Sequence, residues 1–433
     1  MERWKSAIIL AVLLIASSLL FPVSSLAQEV ETEAKSAILV DANTGDVLFK
    51  KEADLTLPPA SMTKMMTEYL VMEAIEEGEI SWDTTTQISD YPYSISANPS
   101  FSGVGLTQNQ DYTVRSLYEA MAINSDNATS IALAELIAGS EGEFVKMMNE
   151  KAAELGMEDY KFVNSTGLSN SDLGGNVPEG TSAEDTNLMS ARAAATLAYH
   201  LVNDYPEALE ISGTPTTEFD GQTIQNWNWM IPGMPGYLSD FGYEGVDGLK
   251  TGYTELAGNT FTGTVERDGQ RLISVVMKTS SREQRFEETR KLFNYGFEQF
   301  EKQELFGSGY QMEDKETLPV TKGKEDQVAI ETGEALSRMI KQGEEEAYSI
   351  EYKLKEEELT APVEAGQQVG EATLVYEGEV PQENIVKENP HTVPVVAASA
   401  VEKSNWFMLT LGNIGSFFGN IFTGAVDMVK GWF

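Results

Sequence analysis

Ser61 and Lys64, in the run Pro58-Pro59-Ala60-Ser61-Met62-Thr63-Lys64, have the types and spacing of an activated nucleophile and its base. A hydroxyl attacks a carbonyl readily only when a base takes its proton, and an amine three residues on along a helix lies on the same side of the first turn. Leu57 and Pro58 each precede a proline and are pushed towards extended geometry, so the chain enters this stretch open. Met62, Met65, Met66, Tyr69, Leu70 and Ala74 then recur at helical spacing, which predicts a helix with one buried face. Ser61 falls at its N-terminus. Positive potential there favours a developing oxyanion and biases Lys64 towards the free base. In isolation, Ser-x-x-Lys also describes a capping serine followed by a surface lysine.

Two further stretches could complete such a site. Ser125-Asp126-Asn127 lies between a helix carrying Leu117, Met121 and Ile123 and a second helical run, Ala128 to Ile137. These residue types suit caps and turns, and alone they imply nothing catalytic. In Gly248-Leu249-Lys250-Thr251-Gly252-Tyr253, glycines allow close approach of another backbone or a ligand, while Lys250 and Thr251 offer a cation and a hydroxyl to a carboxylate. Lys250 begins a strand-like stretch followed by two strands, Asn259 to Arg267 and Arg271 to Lys278, joined by Asp268-Gly269. The chain has only two histidines, His200 and His391, and both read as structural. A Ser-His-Asp triad therefore has no evident base, and a histidine-based metal site has too few ligands.

The elements that must hold these residues are legible more coarsely. Lys35 to Lys51 predicts a hairpin around the turn Asp41 to Asp46, and Thr84 to Asp111 reads as loops with short structured pieces. Glu141 to Leu155 predicts an amphipathic helix, Ser169 to Ala183 a loop lining a cleft, and Asp185 to Tyr205 a long helix containing His200. At 433 residues the chain has room for two or three domains, and 41% apolar residues exclude a polytopic membrane protein. A net charge of −38 excludes the basic footprint that nucleic acid requires. With no cysteine there is no disulfide framework and no thiolate chemistry. Residues 1–27 read as a secretory signal peptide: Arg3 and Lys5 precede an apolar core, Ala7 to Leu20, and Ser25-Leu26-Ala27 supplies a cleavage site. The mature chain would begin at about Gln28.

Ser-x-x-Lys, Ser-Asp-Asn and Lys-Thr-Gly thus occur in order at Ser61, Ser125 and Lys250, the set found in penicillin-binding proteins and class A β-lactamases. With Pro59 to Lys64, Phe162 to Leu168 and Gly245 to Thr254, the chain from about Lys35 to Phe300 resembles the D-alanyl-D-alanine carboxypeptidases of serine peptidase family S11, particularly those of Gram-positive bacilli. Asp126 stands where that family more often has glycine. The resemblance implies an α/β (α+β) fold in which an antiparallel sheet packs against helices. It implies that Ser61 forms an acyl-enzyme with peptidoglycan stem pentapeptides, that Lys64 is the general base, and that Ser125 relays a proton to the leaving amine. Asn127 would hold the substrate backbone, Lys250 and Thr251 would grip the terminal carboxylate, and Gly252 would line the site. The N–H groups of Ser61 and Tyr253 would form the oxyanion hole, worth ~3–4 kcal/mol per donor. Arg285 lines up with an arginine that helps bind the carboxylate, with Arg282 the competing candidate. β-Lactams would be covalent inhibitors. No cofactor is implied.

Composition changes past about Glu301, where alternation at Tyr348, Ile350, Tyr352 and Leu354 and the stretch Ala361 to Tyr376 predict strands. The expected division is therefore a signal peptide at 1–27, a catalytic domain at 28–303, a small all-β domain at 304–397 and a terminal segment at 398–433. In that last segment Phe407, Leu411, Ile414, Phe418, Ile421, Ala425, Met428 and Trp432 step by alternating fours and threes. An amphipathic helix from Ser404 to Phe433 would lie in a membrane surface, since Asn413, Ser416 and Asn420 interrupt any spanning run. The protein is thus expected on the outer face of the cytoplasmic membrane. Two alternatives share parts of this pattern. A class A-like β-lactamase needs a Glu-x-x-Leu-Asn deacylation motif, which the sequence lacks, and a non-catalytic penicillin-recognising wall-binding protein has no need of the intact trio.

Overall fold

Strands from both ends of the catalytic region share one antiparallel sheet, in spatial order Val47–Lys51, Ser36–Asp41, Gln270–Thr279, Gly258–Arg267 and Val246–Thr254. The computed structural model describes residues 30–378, 381–387 and 390–404. The signal peptide expected at 1–27 lies outside the described residues, as does the expected amphipathic helix apart from Ser404. Asp268 and Gly269 both take positive φ, 52° and 78°. That is what a two-residue hairpin turn needs to match the twist of its strands. Successive side chains on a strand point to opposite faces. Ile38, Val40, Ile273, Val275 and Met277 accordingly join the helical core, whereas Leu39 and Leu272 lie against Gly296 of the helix Arg282–Gln299.

Between the two sheet segments lies a helical region that includes Lys64–Glu76, Val114–Asn124, Asn127–Ala138, Glu141–Glu154 and Ala191–Asp204. The sequence pattern predicts one buried face for the first of these, but the helix is buried on nearly every side from Lys64 to Met72. Its neighbours explain this: it packs against helices Val114–Asn124, Asn127–Ala138, Glu141–Glu154 and Ala191–Asp204 and against the strand Val246–Thr254. Thr67 and Glu68 are therefore interior residues.

The long helix expected from Asp185 starts only at Ala191, where the Ser190 side chain accepts the Ala193 N–H as a cap. The six residues before it are used otherwise. Leu188–Met189 pairs with Tyr160–Lys161, and the Asn187 side chain bonds the backbone of Val163 and Asn164. His200 sits within the shortened helix beside Asp204, at 3.3 Å.

The C-terminal region is all β. A two-stranded pair, Phe300–Phe306 with Leu336–Lys341, accompanies a six-stranded sheet around its own core of Val, Ile, Leu and Tyr side chains. Val401 bridges Val363 and Lys403 bridges Gly323, so residues 398–403, assigned from sequence to the terminal helical segment, stay with this β structure. The two regions are tied through the turn of the N-terminal hairpin. Asp46 accepts from Arg338 Nη2 at 2.6 Å, lies 2.8 Å from His391 Nε2, and meets Asn384 at 3.3 Å. Burial would raise the Asp46 carboxyl, but the His391 bond and the Arg338 charge outweigh it and hold the group below its ordinary value. His391 is a fixture of this junction, in keeping with its structural reading.

Candidate active site

Ala60–Thr63 forms a single 3-10 turn that runs directly into the helix Lys64–Glu76. Ala60 takes φ 50° immediately before Ser61, a conformation that costs an L-residue energy and persists only where surrounding structure imposes it. That structure is Gly167, whose own φ is 88°: a Cβ there would lie 1.9 Å from the Ala60 carbonyl oxygen. Gly252 also allows a close approach, since a Cβ would lie 2.6 Å from Pro59 O and 2.5 Å from Thr260 Oγ1. The turn bearing Ser61 thus packs against two glycines on separate segments.

Lys64 Nζ lies 3.1 Å from Ser61 Oγ, 2.8 Å from Asn127 Oδ1 and 2.7 Å from Thr166 O. A neutral amine has two N–H donors and one lone pair. The Asn127 and Thr166 oxygens can only accept, so they take both donors and leave the lone pair for Ser61. Electrostatics favours that form. Lys64 is fully buried, and burial first and the Lys250 charge second push it well below its ordinary value, against the opposing pull of Asp126 and Glu68.

Ser125 ends the helix Val114–Asn124 in a left-handed conformation, φ 62°, and is buried at the cleft wall. Asp126, the departure noted in the sequence, has a structural task. Its carboxylate accepts the Thr129 N–H and the Val104 N–H, both at 2.6 Å, capping the helix that begins at Asn127 and pinning the loop at 103–104. Asn127 Nδ2 donates to Ser102 O at 3.2 Å, which orients its oxygen to Lys64.

Lys250, Thr251 and Gly252 lie within the strand Val246–Thr254 rather than at its start. This strand ends the sheet, and its outer edge pairs with no other strand among the described residues, so an extended peptide can pair with it. Ser61, Ser125, Asn127, Thr251 and Tyr253 line a cavity of about 220 Å³, and Lys250 lies buried behind it. Burial, opposed by the Glu68 charge and assisted by Arg285, lowers Lys250 to about 8. Both candidate arginines reach the cleft. Arg285 is buried and donates to Gly252 O at 3.2 Å, whereas Arg282 is exposed, 5.2 Å from the Trp227 ring and 5.9 Å from Tyr253. Burial and Arg282 press the Arg285 guanidinium downward, yet a group that starts above 12 remains charged at neutral pH.

All nine residues singled out from the sequence therefore fall at or directly behind one cleft. Sequence reasoning missed Thr166 and Gly167 as participants, although Phe162 to Leu168 carried part of the resemblance. The signal was a run of polar residues that the structure buries: Asn164, Ser165 and Thr166, supported by Glu141 and Asn187. It also missed Trp227, whose indole donates to Asn124 O at 2.9 Å, and Glu68.

Comparison with known proteins places the fold in a family. The profile of the D-alanyl-D-alanine carboxypeptidase family, peptidase S11, matches residues 23–281, and that of the penicillin-binding protein 5 C-terminal domain matches residues 300–403. The chain is 32% identical over 388 residues to D-alanyl-D-alanine carboxypeptidase DacF of Bacillus subtilis, covering 89% of this chain and 90% of that one. A crystal structure of PBP3, a peptidoglycan synthesis regulatory factor from Streptococcus pneumoniae, superposes with a TM-score of 0.75 at 38% identity, covering 86% of this chain and all (100%) of that one. Ampicillin-bound penicillin-binding protein D2 of Listeria monocytogenes matches at 31% identity and a TM-score of 0.53, over 62% of this chain and 99% of that one. With the profile spanning most of the catalytic region and a relative 32% identical over 89% of this chain, the chain belongs to the peptidase S11 family of D-alanyl-D-alanine carboxypeptidases.

Proposed function

We propose that this chain removes the terminal D-alanine of peptidoglycan stem pentapeptides through an acyl-enzyme on Ser61. The observation that carries the residue roles is the triple contact of Lys64 with Ser61, Asn127 and Thr166. The stem peptide lies along the edge of Val246–Thr254, and its terminal carboxylate is held by Lys250, Thr251 and Arg285. Ser61 Oγ bonds to the carbonyl carbon between the two D-alanines as its proton passes to Lys64. The N–H groups of Ser61 and Tyr253 receive the oxyanion. The C–N bond then breaks, and Ser125 relays the proton to the departing amine. Water activated by Lys64 hydrolyses the ester and restores Ser61. The listerial relative with bound ampicillin supports the same cleft as a covalent β-lactam site here. Neither the β-lactamase nor the non-catalytic alternative has an observation that favours it. The test is release of one alanine from a D-Ala-D-Ala pentapeptide, dependent on Ser61.

We further propose that the protein is secreted and rests on the outer face of the cytoplasmic membrane through residues 404–433. The pattern of that segment supports this, and no helix among the described residues is long and apolar enough to cross a membrane. Removing 404–433 is expected to leave turnover intact and to abolish cosedimentation with lipid vesicles. Loss of turnover in the shortened chain, or undiminished vesicle binding, would contradict it.

A further inference from the structure

Glu68 is a buried acidic side chain whose place in the interior the proposed reaction leaves unexplained. It follows Lys64 by four residues on the same helix, so the two side chains stack on one face. It is 1% exposed, and its Oε1 has no hydrogen-bond partner among the described residues. Burying a carboxyl group without satisfying it is costly, and an apolar residue would fill the same space with less penalty. The surroundings show what the charge acts upon. Lys64 lies one turn back on its own helix, and that helix packs against the strand Val246–Thr254, which carries Lys250, and the helix Val114–Asn124, which carries the buried Tyr118 hydroxyl, also without a hydrogen-bond partner among the described residues; the Glu68 charge acts on all three. Asp126 acts on Lys64 from the cap of the next helix and Arg285 acts on Lys250, whereas the Glu68 charge acts on both lysines.

We infer that Glu68 is a positioning residue for the reaction: a buried carboxyl group, one turn from Lys64, that serves as the counter-charge of Lys250. The two lysines need opposite protonation states, an amine beside Ser61 and an ammonium for the substrate carboxylate. Burial works against any charge on either. A nearby carboxylate offsets this for Lys250, whereas the three contacts of Lys64 are already satisfied by a free amine. Burial raises Glu68 to about 7 against the opposing charges of Lys250 and Lys64. The group is thus largely neutral on the acid side of the working range and charged on the alkaline side, where Lys250 would otherwise lose its proton.

This inference rests on the roles assigned above to Lys64 and Lys250. Its test is the pH profile of kcat/KM for a D-Ala-D-Ala peptide, measured on the wild-type chain, Glu68→Gln and Glu68→Asp. Removing the negative charge lowers Lys250, so the alkaline limb of Glu68→Gln should move to lower pH by about one unit, a typical effect of one nearby opposite charge. The acidic limb should move much less, because the wild-type carboxyl is already protonated there. Glu68→Asp keeps the charge and should hold its alkaline limb closer to the wild-type position, and this variant carries the test if Glu68→Gln does not fold. A purely structural role would lower the whole profile, or the thermal midpoint, without displacing either limb. That result, or a Glu68→Asp alkaline limb shifted by as much as the neutral variant, would overturn the inference. Absence of turnover in the wild type would instead sink the functional assignment.

Discussion

Lys64→Met should reduce acylation of Ser61 by a β-lactam by about 10³- to 10⁴-fold, close to the loss produced by removing the nucleophile, because the two act as a unit. Methionine occupies nearly the same space, so the helix and its buried surroundings should persist. What disappears is the lone pair 3.1 Å from Ser61 Oγ. The same substitution has a signature in stability. The Lys64 amine is held well below 10.5 in the folded protein, so at pH values between its folded and ordinary values the unfolded chain binds a proton that the folded chain does not. Wild-type stability should therefore rise relative to Lys64→Met as pH climbs from neutral towards 10.5. Stopped-flow acylation and chemical denaturation at several pH values check both. A parallel pH dependence for the two proteins would mean that Lys64 is not a buried free base.

Gly167→Ala should also slow acylation, by a smaller factor, although residue 167 contributes no side chain to the chemistry. The new Cβ would have to share space with Ala60 O, 1.9 Å away, in a backbone conformation of φ 88° that alanine adopts only at a cost. Something must move, and what the new Cβ meets is the turn that carries Ser61: Ala60 O, Ala60 C and, at 3.0 Å, Ser61 N. A displacement of about 1 Å there costs roughly 100-fold in acylation. Left-handed strain adds about 1–3 kcal/mol of destabilisation. Gly175 provides the matched control, with the same φ of 88° and nothing within 4 Å of an added Cβ. Gly175→Ala should show the strain without the kinetic loss. If the two variants acylate at equal rates, Gly167 does not position the nucleophile.

These two residues mark what the sequence made legible. Ser61 and Lys64 could be paired from spacing alone, because helical geometry turns a separation of three into proximity. Ser125, Asn127 and Lys250 gained meaning only from their order and the resemblance it carried, since a cap-like tripeptide and a strand lysine have no chemistry by themselves. The hairpins were readable from alternation and from Asp268-Gly269, and the C-terminal strands from alternation at Tyr348 to Leu354. Gly167 and Glu68 were not readable in this way. The demand on Gly167 comes from Ala60, over a hundred positions away in the chain, and no local pattern encodes it. Glu68 falls outside the apolar spacing that predicts one buried face, and it is interior only because four other helices and a strand enclose that helix. The start of the helix at Ala191 was misjudged for a related reason: Leu188 and Met189 continue the apolar run but are used for pairing with Tyr160 and Lys161. Arg282 and Arg285 lie one turn apart on one helix, and only burial separates them.

The most direct test of the central claim is a mass spectrum of a peptidoglycan pentapeptide ending in D-Ala-D-Ala after incubation with the full chain, beside a Ser61→Ala control shown to be folded. Loss of one alanine is expected with the wild-type chain, and an intact pentapeptide with the variant. An intact pentapeptide with folded wild-type protein, or equal release by Ser61→Ala, would contradict it.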